Sequence, residues 1–160
     1  MRYRVMKRLL TISLTLICLT GVSQIPSLNL AMLTSVDSYI GQKVGDGVCK
    51  TLIDSVLINN GAGTKEGKTV GYYCYNLDPA KEIVYSGDII YFDNVKVKGD
   101  NTYYKDHIAF IYATNGKDSY YIIHQNFGVQ SLDDSKVVIT RLDLSKIKKG
   151  KVSFFRPISL

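Results

Sequence analysis

Three side chains in this sequence are of the types that thiol chemistry requires: Cys49, His107 and His124, the last two being the only histidines in the chain. A free thiol is only a few per cent ionised near neutral pH. A helix N-terminus and an adjacent imidazolium lower its pKa until the thiolate can attack a carbonyl. Cys49, Leu52, Ile53, Val56 and Leu57 recur at helical spacing, after Gly45-Asp46-Gly47 and before Asn59-Asn60-Gly61. This predicts an amphipathic helix with Asp46 as its N-cap and Cys49 in its first turn. His107 is then the expected base, taking the thiol proton and returning it to the leaving amine.

The histidines must be positioned by strands. Asn115-Gly116 is a strong signal for a two-residue hairpin turn, and such a turn sets His107 opposite His124, their Cβ atoms roughly 5 Å apart. Asn126 shares that face, because side chains alternate along a strand. Either His124 or Asn126 can fix the tilt and tautomer of the His107 ring. The backbone N–H of Cys49 and the side chain of Gln42 are the candidate oxyanion donors. Tyr72, Tyr73 and Tyr75 are the aromatic residues expected to line a substrate groove.

Other readings of the same residues are a Cys49–Cys74 disulfide, a zinc site of Cys49, His107 and His124, and a catalytically silent binding domain on the same scaffold. The main reading needs no metal and no organic cofactor.

With 160 residues and 46% hydrophobic composition, the chain has room for one domain with a substantial core. Arg2, Arg4, Lys7 and Arg8 precede an apolar run from Leu9 to Thr20 and then Gly21-Val22-Ser23. Residues 1–23 therefore read as a secretory signal peptide, its apolar run shorter than the roughly 20 residues that span a bilayer. The expected product is secreted or periplasmic, with no membrane attachment after cleavage, and acts as a monomer. The net charge of +6 falls to +2 without the four basic residues of that segment, which gives no nucleic-acid footprint. Residues 24–35 include Pro26, lack periodicity and read as a linker, leaving 36–160 as the domain.

Within the domain, helices come first: a short one over 35–42, then the Cys49 helix. Residues 61–86 read as a glycine- and tyrosine-rich loop. Strands are expected at 88–92, 107–113, 120–126, 137–142 and 152–156, from their Ile, Val, Tyr and Phe content between turn residues. Short connections make the sheet antiparallel, so the fold class is α+β, with N-terminal helices packed on about five strands.

Gly87-Asp88-Ile89-Ile90-Tyr91-Phe92, Asp106-His107-Ile108-Ala109-Phe110-Ile111-Tyr112 and Ile122-Ile123-His124 resemble the strand motifs of NlpC-type cell-wall hydrolases. His124-Gln125-Asn126-Phe127-Gly128 is similar to the corresponding stretch of CHAP domains, the cysteine, histidine-dependent amidohydrolases/peptidases. The resemblance covers roughly residues 36–157. It implies a papain-like fold and a cysteine amidase or endopeptidase that cleaves amide bonds in peptidoglycan peptides through a thioester. It also implies the histidine or the asparagine of the third strand as orienter.

Overall fold

A computed structural model of the chain describes residues 24–63, 70–72, 74–99 and 102–160. The expected signal peptide lies outside the described residues, as does Tyr73.

The stretch expected as a linker carries most of the first helix, α1, Ser27–Asp37. Its inward face is Asn29, Met32 and Val36, a helical spacing interrupted by one polar residue. Asn29 is inside because its Nδ2 donates to the Asp88 carboxylate at 2.7 Å and to Ser86 O at 3.2 Å. Apolar periodicity is blind to such a position. The expected helix over 35–42 is only the end of α1 and the turns that follow it.

Helix α2, Cys49–Asn59, buries the five residues whose spacing predicts it. Its N-cap is Val48, however, not Asp46. Asp46 accepts from Val48 N–H at 3.0 Å and from the Thr51 hydroxyl at 2.7 Å, bracing the entry turn from outside the helix. Gly61, at φ 66°, closes the far end in the left-handed conformation open to glycine.

Among the described residues, six antiparallel strands form one sheet in the order β1-β6-β2-β3-β4-β5. They are β1 Tyr75–Leu77, β2 Ile89–Val97, β3 Tyr103–Thr114, β4 Ser119–His124, β5 Val138–Asp143 and β6 Ile147–Arg156. Both faces are buried. Ile89, Ile108, Phe110 and Ile123 pack with α1 and α2, while Ile90, Phe92, Ala109, Ile111, Ile122 and Phe154 form a second core on the other face. The architecture is α+β and papain-like, as expected, with β1 added from within the presumed loop.

The β3–β4 hairpin departs from its expected register. Asn115 N–H donates to Ser119 O, so three residues rather than two make the turn, and the resulting offset of three is reduced to two by an irregularity of β3 between Ile111 and Ala113. Phe110 pairs with Ile123, where a two-residue turn would have given Tyr121. A shift of two residues preserves the face of every side chain. His107 and His124 therefore share a face, without standing directly opposite each other.

Candidate functional site

Cys49 begins α2 and is buried in the core between the helices and the sheet, where Ile108 is also found. Burial pushes its thiol pKa up, against the backbone hydrogen bonds of Ile108 and Lys50, and the negative charge of Asp106 raises it further. This is the reverse of what a nucleophile needs. Asp106 also accepts from the Tyr91 hydroxyl, and burial and that bond push the phenol up to about 12. The group of β3 that faces the thiol is thus a carboxylate.

His107 is the next residue along β3 and points the other way. Its ring lies in the second core, with centroids 5.4 Å from Tyr104 and 6.2 Å from Phe92. Alternation makes this unavoidable: Ile108 and Phe110 face the helices, so His107, Ala109 and Ile111 face away from them.

His107 Nε2 lies 2.7 Å from His124 Nδ1, and His124 Nε2 lies 2.9 Å from Thr140 Oγ1. One proton is shared along each contact, and Phe127 stands 4.7 Å from the His124 ring. Burial pushes His107 down to about 4, with Asp106 opposing. Burial followed by the neighbouring His107 pushes His124 down to about 3. The pair is neutral and knits β3, β4 and β5 together. His107 also lines a cleft of about 370 Å³ with Tyr104, Asn126 and Phe127.

The remaining expected site residues are scattered. Asn126 has left the strand, at φ 60°, and its backbone N–H is held by the Ser135 hydroxyl at 2.8 Å. The Gln42 side-chain amide donates to Ser38 O at 2.8 Å and is exposed. Tyr75 donates to Glu82 Oε1 at 3.0 Å from β1, at the sheet edge remote from β4. Nothing is described of the Tyr72 side chain. Cys49 and Cys74 are free thiols, and burial pushes Cys74 up to about 12. Cys49 faces one side of the sheet and the imidazoles the other, so the three cannot ligate one zinc ion. Among the described residues no cluster of three or more His, Cys, Asp or Glu could hold a metal.

Two residues that sequence reasoning passed over matter here. Gln125 takes the helix-facing position at the end of β4: its Oε1 accepts from Val44 N–H, and its Nε2 donates to Val44 O and Val48 O at 3.0 and 2.7 Å. It fixes the loop that presents Cys49. Asp106 holds the thiol-facing position on β3. The only sequence signal for either was its alternation with a neighbouring histidine.

Fold and site together define a cysteine-proteinase architecture in which thiol and imidazoles occupy opposite faces of one sheet. Residues 29–160 match the AIM3/BBC1 cysteine proteinase-fold domain, and the chain belongs to that family. No curated protein and no solved structure matches it. The expected amidase or endopeptidase is therefore corrected. The family is not a cell-wall hydrolase family, and Cys49 and His107 form no nucleophile–base pair. The strand motifs shared with NlpC-type and CHAP enzymes carry the fold and not the chemistry.

Proposed function

We propose that this chain is an exported, non-catalytic binding domain that uses a cysteine-proteinase fold as a rigid scaffold. The observation that carries this reading is the state of Cys49: buried, held at the Ile108 backbone, facing a carboxylate, and separated by the sheet from both histidines. A thiol so placed is protonated at neutral pH and has no base to activate it. The residues that remain from the NlpC-like pattern have structural work. The Gly87-Asp88 pair joins α1 to the sheet, and the histidine pair fills the second core.

The test is iodoacetamide labelling of the folded protein across about pH 6 to 9, mapped by mass spectrometry, in wild type and His107→Gln, with circular dichroism to verify folding. Slow labelling of Cys49, rising only toward the alkaline end and equal in both proteins, is expected. Rapid labelling below about pH 8 that slows in the variant would overturn the reading.

A further inference from the structure

We infer that the outer edge of β5 is a docking site for an extended segment of a partner protein, added as a further strand and carrying an apolar and an acidic side chain two residues apart. The inference rests on the binding-domain reading above and names the partner's chemistry.

Folded proteins protect sheet edges by keeping them short, bulged or covered. The β1 edge is three residues long. The β5 edge is six residues long, pairs with β4 from Ser119↔Asp143 to His124↔Val138 without a register shift, and has no strand on its other side among the described residues. Strand-type bonding has already begun just before it. Gly41 N–H donates to Val137 O and Val137 N–H to Gln42 O, both at 2.9 Å, in a parallel bridge of Ile40 with Val137. The 40–42 segment then turns away toward α2, and among the described residues no strand pairs with the outer side of Val138–Asp143, whose far end, Arg141 to Asp143, borders a cleft with Val97, Thr102 and Tyr104.

The side chains on this edge form one line. Bridge partners share a face, and so do residues two apart along a strand. Ile40, Ile139, Arg141 and Tyr121, the last paired across the ladder with Arg141, therefore lie on the same face. Ile40 is 43% exposed, Ile139 37% and Tyr121 40%, a run of apolar surface that ends in a cation. Arg141 has no carboxylate within ion-pair distance among the described residues. Asp143, two positions on, is taken by the N–H and hydroxyl of Ser145 at 3.1 and 2.6 Å, with Lys146 at 3.9 Å. Lys136, also exposed, adds positive charge at the start of the edge. An added strand would satisfy the outward backbone groups of β5, set an apolar side chain beside Ile139, and set a carboxylate beside Arg141.

The probe is a fluorescein-labelled peptide Thr-Glu-Thr-Val-Thr-Glu-Thr, which presents the pattern in either strand direction, with a twin in which lysine replaces both glutamates. Fluorescence anisotropy on the purified protein should show binding of the glutamate peptide and none of the twin. Arg141→Glu should weaken the glutamate peptide at least tenfold and admit the lysine twin, Ile139→Lys should weaken binding to a similar extent, and Lys148→Glu, away from this edge, should change nothing. Absence of binding, or equal binding by wild type and Arg141→Glu, overturns the inference. Concentration-dependent dimerisation abolished by Ile139→Lys, with no peptide bound, also overturns it, since the occupant would then be a second copy. Each of these results leaves Cys49 labelling unchanged. A reactive, His107-dependent Cys49 would instead overturn the non-catalytic reading, whatever the peptide does.

Discussion

At the scale of single residues, the molecule turns on which neighbour in a strand faces which core. Asp106 and His107 are adjacent, so exactly one of them can face Cys49, and the register of β3 with β2, Asp93↔Asp106 and Phe92↔His107, gives that place to the carboxylate. Its charge helps hold the thiol protonated. Asp106→Asn should therefore accelerate Cys49 alkylation at about pH 8 by a few-fold, a fraction of one pKa unit, as read by labelling kinetics. The same alternation puts Gln125 on the helix side and His124 on the other. Gln125→Leu would strand one buried N–H and two carbonyls of the Cys49 loop. A loss of about 2–4 kcal/mol is expected in urea unfolding, and Gln125→Glu should not restore it, because a carboxylate cannot donate to the two carbonyls.

At the scale of elements, the junction between α1 and the sheet shows how local sequence and tertiary contact divide the work. Gly87 sits at φ 85°, and a Cβ there would come within 2.3 Å of Asn29 O. Asp88, fully buried, accepts from Asn29, from Tyr85 N–H at 2.8 Å, and from Arg156 Nε and Nη2 at 3.0 and 2.9 Å. One carboxylate thus ties α1, the entry to β2 and the end of β6. Gly87→Ala should cost at least about 2 kcal/mol, through both the strained φ and the clash, with α1 released first. Hydrogen exchange resolved along the chain would show protection lost in Ser27–Asp37 before α2. Helix α2 was legible in the sequence because its buried face is wholly apolar. Helix α1 was not, because its key buried residue is an asparagine whose partner lies 59 positions away.

At the scale of the whole molecule, the neutral histidine pair makes stability depend on pH. Both folded-state pKa values lie below the ordinary 6.5, at about 4 and about 3, so the unfolded chain takes up protons first as pH falls. The stabilisation is complete above about pH 6.5 and is lost progressively below it, by up to about 1.4 kcal/mol per pH unit for each histidine. The two rings touch and titrate as a coupled pair. Urea midpoints measured between about pH 7 and pH 4.5 should fall steadily in wild type. They should flatten over that window in a His107→Leu, His124→Leu double variant. A midpoint that stays level in wild type would refute this account of the second core.

By itself the sequence determined the α+β class, helix α2 with Cys49 at its start, and five of the six strands among the described residues, because these follow from local periodicity and turn residues. It also placed both histidines on one face, since the longer turn and the irregularity of β3 between Ile111 and Ala113 together offset the register there by two residues, which leaves a side chain on its own side. Tertiary structure alone decided which face that was. Cys49 is separated from His107 by 58 positions of chain, and no local pattern says whether a strand offers its even or its odd residues to a helix. That choice is made by packing, where Ile108 and Phe110 fill the space under α2 and turn His107 toward Tyr104 and Phe92. A nucleophile and a base that were both legible in the sequence were thereby set on opposite sides of one sheet.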